Sequence, residues 1–252
     1  MKEVRAMARR RTTRLPNSLT EEQLMIHTPL DQARILEAAL LLLNEIGLKE
    51  LSMRKIAEKL QVKTASLYYH VKDKEELMQL LTDRISSRMV WPETTLSWQE
   101  QIYQWAEQFR KVLISHRDAV ELFNLTIAKG YERLTQIEKL YQLLVSAGFS
   151  DPYVPWIASM LKNYVQGFVA EEAQLNARSR NHHSSYQDMS EQYDLFYRQL
   201  PKERFPNMIR LASYTTNTNW ENEFHFGLSV LIDGFSTRLT QEKWGNLDSR
   251  EG

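Results

Sequence analysis

Cysteine is absent from the 252-residue chain, which excludes a disulfide framework and every thiolate metal site and fits a reducing compartment such as the cytoplasm. Glycine and proline are scarce, at 8 and 7 residues. That scarcity permits long uninterrupted helices and argues against a turn-rich all-β chain. No apolar run approaches the ~18 residues of a membrane span, and the basic start lacks the apolar stretch of a secretion signal. Net charge is missing too. The 32 basic residues balance 32 acidic ones, so bulk charge advertises no nucleic-acid partner. There is no glycine-rich phosphate loop, nucleophile elbow or zinc signature, which leaves an enzymatic reading without a motif.

What is present is ordinary in amount, with 42% hydrophobic and 25% charged residues, and informative in arrangement. Lys2, Arg5, Arg9, Arg10, Arg11 and Arg14 stand against Glu3 alone in the first fourteen residues. Such a run is either an arm that lies along phosphates or a solvated tail. From Thr28 onward helical signals follow one another. Thr28 can cap, Pro29 suits a first helical turn, and Ile35, Ala39, Leu42, Leu43 and Ile46 recur on one face until Gly47 stops them. Ser52 caps a short helix with Ile56, Ala57 and Leu60 inward, and Gln61-Val62-Lys63 makes a tight turn. A second short helix, Thr64 to His70, turns Leu67 and Val71 inward, and Asp73 with Glu76 opens a longer helix reaching Arg88.

Beyond Pro92 the pattern predicts helices at 97–115, 118–130, 131–147, from 155 onward, and at 219–240. The polar run from Asn176 to Ser190 reads as a loop, with weaker helices near 193–200 and 204–213. The fold class is therefore all-α. A three-helix unit of helix-turn-helix type (28–76) is expected after a basic extension (1–27) and before a larger helical domain (77–244), with a tail at 245–252. The boundary falls inside the helix at 73–88, which belongs physically to both domains.

Two short helices joined by a tight turn are the unit that sets a recognition helix in the major groove. The exposed positions carry suitable chemistry: Thr64, Ser66, Tyr68, Tyr69 and His70 for base edges, with Lys63, Lys72 and Lys74 beside them for phosphates. Arg54 and Lys55 stand at a helix start whose free N–H groups also favour a phosphate. Short helices bearing Lys and Tyr occur on many helical surfaces, so a helical adaptor without operator recognition remains the alternative function.

The run from Ile35 to Leu77 resembles the amino-terminal domain of the tetracycline-repressor (TetR) family, on Leu51-Ser52-Met53-Arg54-Lys55-Ile56-Ala57 and on Ala65-Ser66-Leu67-Tyr68-Tyr69-His70-Val71-Lys72-Asp73-Lys74. Trp98 to Phe123, Ala147-Gly148-Phe149, Gly167 with Glu171-Glu172, and Phe226-Gly227-Leu228 to Asp233-Gly234-Phe235 resemble the carboxy-terminal domain of the tetracycline repressors themselves. The resemblance implies a homodimer that occupies a palindromic double-stranded operator and leaves it when a small effector binds. It implies base contacts from Thr64, Ala65, Ser66, Tyr68 and Tyr69, and phosphate contacts from Ser52, Arg54, His70 and Lys74. His70 has a second reading, as a cap of the recognition helix.

The chain departs from that pattern where the family holds its drug as a magnesium chelate. Val90 and Phe123 fall at the two positions where histidines are expected, so magnesium–tetracycline is not the expected effector. The same region offers Met89, Trp105, Phe109, Phe123, Met160, Tyr164 and Phe168, with Asn124 and Thr126 as polar groups. These read either as an apolar effector pocket or as ordinary helical core. By the same resemblance, helices at 155–175 and 219–240 pair with a symmetry mate as a four-helix bundle, through Ile157, Leu161, Phe224, Leu228, Leu231 and Phe235. No cofactor and no metal is expected. His182-His183 lacks the i, i+4 spacing of a helical metal site, and Glu171-Glu172 point about 100° apart on a helix.

Overall fold

Asp31, in extended backbone, starts the first helix, α1 (Gln32–Ile46), by accepting the Arg34 N–H at 2.8 Å. A carboxylate satisfies an orphan N–H and meets the positive end of the helix dipole, so the helix begins later than Thr28-Pro29 suggests. The computed structural model describes residues 29–181, 186–216 and 219–248. The basic segment 1–27, Thr28, His182-His183 and the last four residues of the tail lie outside the described residues.

Gly47, at φ +81°, ends α1, and its N–H returns to Leu43 O at 2.9 Å. Ser52 Oγ accepts from Lys55 N at 3.3 Å to open α2 (Met53–Leu60), and Gln61 closes it in the left-handed region. The next helix, α3 (Thr64–Leu67), is shorter than the expected Thr64–His70. Its carboxyl end tightens into a turn in which the His70 and Val71 N–H groups both bond Leu67 O at 2.9 Å. Leu67 and Val71 are fully buried, so the turn stays anchored. Asp73 caps α4 (Lys74–Ser86) through Glu76 N at 2.8 Å, while the Glu76 carboxylate reaches back to Lys72 N.

A capping box between Ser97 and Glu100 opens α5 (Trp98–Ile114). Then come α6 (Ala119–Asn124), much shorter than 118–130, and α7 (Tyr131–Ala147), ended by Gly148 at φ +101°. The long helices α8 (Val154–Asn181) and α12 (Trp220–Asp248) flank α9 (Tyr186–Arg198), α10 (Pro206–Arg210) and α11 (Ala212–Thr216). Residues 176–181, expected in a loop, complete α8, and α9 begins at Tyr186. Residues 176–181 contain no Gly or Pro, so their polarity alone does not end the helix before Asn181.

All described elements are helices, and no strand occurs among the described residues. No helix among them is long and apolar enough to cross a membrane. α4 packs on α1 and also on α5, α6 and α7. Its Leu77, Leu81 and Ile85 are fully buried in one continuous core that runs from Ile35 to Leu239. α5, α8 and α12 are tied by Arg110, which donates to Glu172 at 3.2 Å and Glu221 at 2.9 Å while its guanidinium lies 4.7 Å from the Phe224 ring.

Candidate nucleic-acid interface and ligand cavity

Seven of the ten residues expected at DNA stand at the starts of the successive helices α2, α3 and α4, and the other three in the turn between α3 and α4. Ser52 and Arg54 begin α2, Lys63, Thr64, Ala65 and Ser66 begin α3, Tyr68, Tyr69 and His70 form the turn after it, and Lys74 begins α4. Tyr69 is 89% exposed and Tyr68 51%. Two neighbouring aromatics left in water are costly unless something covers them. Thr64, Ser66 and His70 are half-buried, and the His70 carbonyl accepts from Gln32 Nε2 at 3.2 Å, which fixes the turn to α1. Arg54 pairs with Glu58 at 2.9 Å, both well exposed. Such a surface pair is weak and exchanges readily for a phosphate.

A cavity of about 220 Å³ opens between α4, α5, α6, α7 and α8. Met89, Trp105, Phe109 and Phe123 line it, with ring centroids 5.5 Å apart for Trp105–Phe109 and 6.0 Å for Phe109–Phe123. The other expected pocket residues lie elsewhere. Asn124 is exposed, and Thr126 is buried against Leu122 O, which accepts its hydroxyl at 3.0 Å. Met160 is exposed on the far side of α8, and Tyr164 and Phe168 pack on Phe224, with Tyr164 donating to Phe224 O at 2.7 Å. Helical period explains the split: Ala158, Ser159 and Lys162 face the cavity, so the row at 160, 164 and 168 faces away.

Sequence reasoning missed the polar wall: Ser86, Arg133, Gln136 and Lys162. In sequence, Arg133 on α7 and Lys162 on α8 look like parts of solvated faces. Arg133 is held by Thr126 Oγ1 at 2.8 Å and by the carbonyls of Thr126 and Phe123, both at 3.3 Å. Burial lowers its guanidinium pKa from the usual range, opposed by Asp83. Phe123, at one of the two expected histidine positions, lines the cavity; Val90, at the other, is exposed and outside the lining.

The residues expected at a dimer interface turn mostly inward. Leu161, Phe224 and Leu228 are fully buried, Ile157 and Phe235 nearly so, and Leu231 half-buried within the protomer. The adjacent stripe is the open one. Trp156, Met160, Phe226 and Val230 are exposed, Trp156 by 63% and Phe226 by 72%. A Cβ on Gly167 or Gly234 would meet nothing within 4 Å. A groove of about 370 Å³ runs between the two helices, bordered by Trp156, Met160, Val230 and Gly234.

The turn between α5 and α6 holds the end of α1. Asp118, in the left-handed region at φ +56°, accepts Leu48 N–H at 2.8 Å. Arg117 N–H reaches Asn44 Oδ1 at 2.9 Å, and its guanidinium reaches Glu45 O at 3.0 Å. Beside it Arg88 donates to buried His116 Nε2 at 2.8 Å and meets Glu37 of α1 at 3.5 Å. Elsewhere, Glu107, Glu221 and His225 bring possible ligand atoms within 4.8 Å of one another. The Glu221 carboxylate there is already bonded by Arg110, so a cation would compete with a guanidinium.

Comparison with known proteins follows the same division. Residues 35–81 match the family described as "Bacterial regulatory proteins, tetR family", and residues 91–239 match "Tetracyclin repressor-like, C-terminal domain". The class E tetracycline repressor protein of Escherichia coli is 30% identical over 83% of this chain and 92% of its own. The Streptomyces coelicolor TetR family protein ActR, solved in complex with actinorhodin, superposes with a TM-score of 0.74 at 28% identity, covering 84% of this chain and 99% of ActR. BioQ with its natural double-stranded DNA operator superposes with a TM-score of 0.57 at 27% identity, covering 82% and 98%.

Proposed function

The chain belongs to the tetracycline-repressor family of bacterial regulatory proteins, and from that membership we propose a homodimeric repressor that binds a palindromic operator and is released by a small aromatic effector. It is a ligand-responsive, DNA-binding regulator of transcription. A cytoplasmic site of action is part of this proposal, since the protein acts on DNA. The observation that carries the reading is the pair of exposed tyrosines, Tyr68 and Tyr69, on a turn anchored by buried Leu67 and Val71. They present planar groups and hydroxyls to base edges, flanked by Lys63 and Lys74 for phosphates.

Two readers must sit about 34–36 Å apart to meet successive half-sites on one face of a duplex. A symmetric pairing through Trp156, Met160, Phe226 and Val230 supplies the two-fold axis that a palindrome requires. The α5–α6 turn then links events at Phe123, in the cavity wall, to α1 through Asp118. An effector releases DNA only to the extent that it prefers the cavity shape of the released state.

Selection from a random duplex library, followed by anisotropy titration across salt, tests the reading. A palindromic consensus whose log affinity falls steeply with log salt is expected. Tyr69→Ala should weaken that complex about tenfold, the scale of one lost base contact, and leave thermal stability almost unchanged. Absence of any consensus would leave the adaptor reading in its place. Phe123 cannot ligate a metal, so calorimetry should find no sub-micromolar binding of magnesium–tetracycline.

A further inference from the structure

The charges around the cavity are one-sided. Arg133 and Lys162 line it, together with Ser86, Gln136 and Ser159, and no Asp or Glu does. Neither cation forms an ion pair among the described residues. Asp83, whose charge acts on Arg133, accepts the Arg133 backbone N–H at 2.8 Å instead of its guanidinium.

The hydrogen bonds of Arg133 are specific about what remains. Nη1 donates to Thr126 O and Thr126 Oγ1, and Nη2 donates once, to Phe123 O. A guanidinium carries five N–H donors, so Nε–H and one Nη2 hydrogen have no acceptor among the described residues. Nε and Nη2 share one edge of the guanidinium, the edge whose paired N–H groups a carboxylate can accept with both oxygens. Uncharged acceptors offset only part of the cost of burying a cation. A wall meant for a neutral ligand would gain by replacing Arg133 with an apolar residue of similar volume. The guanidinium also stacks 4.8 Å from the Phe123 ring, which fixes its plane beside the aromatic wall.

Resting on the effector-cavity reading above, we infer that the effector is an aromatic carboxylate, its ring system against Trp105, Phe109 and Phe123 and its carboxylate on Arg133 and Lys162. Size agrees with a modest ligand. A dry cavity of ~150 Å³ accepts benzene, and the space here is about 220 Å³, which suits one or two fused rings.

The test uses matched pairs that differ only in charge: benzoic acid and benzamide, and 1- and 2-naphthoic acid with the corresponding naphthamides. Each is titrated into the full-length protein at pH 7.5 by calorimetry, and into its operator complex by anisotropy. At least one acid should bind about tenfold or more tightly than its amide, as expected when a charge-assisted pair replaces a neutral contact, and should release the operator. Arg133→Gln should bring the ratio close to one. Should that variant fail to fold, Lys162→Glu, at an exposed position, should drive the ratio below one. Amides binding as tightly as their acids would overturn the acidic effector and leave the aromatic cavity standing. Failure of every acid and every amide to bind would overturn both.

Discussion

His116 is enclosed, and both of its ring nitrogens are committed. Nδ1 lies 3.0 Å from Val112 O, and Nε2 lies 2.8 Å from Arg88 Nη1. A guanidinium can only donate, so Nε2 must accept and the proton must sit on Nδ1, facing the carbonyl. Burial holds the pKa below the usual imidazole value of 6.5; the Val112 bond opposes this, Arg88 adds to it, and Glu37 opposes it. The unfolded chain therefore takes up a proton at a pH where the folded one does not. The stability contribution is complete above about pH 6.5 and is lost as the pH falls through that value toward the lower, folded pKa. Thermal unfolding followed from pH 7.5 to 5 should show a declining Tm below that point. His116→Gln, which can accept from Arg88 and donate to Val112 without titrating, should flatten the decline. Parallel profiles for the two proteins would remove His116 as the cause.

At the scale of the element, the α5–α6 turn is one of two places, with Gln61, where a non-glycine residue holds a left-handed backbone. Asp118 holds a left-handed backbone that costs a non-glycine residue about 1–2 kcal/mol, and its carboxylate satisfies the Leu48 N–H just past the end of α1. Asp118→Ala keeps the strain and loses the bond, so it should destabilise the protein by about 1–2 kcal/mol in urea denaturation. Asp118→Gly loses the bond and relieves the strain, and should retain about 1 kcal/mol more than the alanine variant. Equal losses would mean that the backbone there is unstrained. The elements themselves were largely legible, because their signals are local. Ser52, Asp73 and Ser97 cap where a side chain three residues upstream of an orphan N–H can cap, and Gly47 and Gly148 stop their helices in conformations that glycine favours. Long-range outcomes were less so. Both faces of α8 and α12 are apolar, so periodicity could not separate the row buried within the protomer from the row beside it. Arg133 and Lys162 look solvent-bound in sequence, and only the packing of α7 against α5 and α8 turns them toward a cavity.

For the molecule as a whole, the proposed dimer would use the uncovered row on α8 and α12. Trp156 and Phe226 are open to water, whereas Leu228 and Phe235 are buried inside the protomer. The double variant Trp156→Asp with Phe226→Asp should stay helical and sediment as a monomer at micromolar concentration, with operator affinity falling steeply. A folded double variant that remained dimeric would exclude this face. Acidic substitutions at Leu228 or Phe235 would report on folding, since they would bury a charge without a partner.

The way α4 is shared has a consequence for recombining such proteins. Leu77, Leu81 and Ile85 belong to the same core as α1 on one side and α7 on the other. Asn44, Glu45 and Leu48 meanwhile engage Arg117 and Asp118, some seventy residues further along the chain. A reader head excised at residue 76 and grafted onto a foreign body would leave those partners behind. Portable specificity therefore requires a transplant in two pieces: α1 through α4, and the 116–118 turn carried with it.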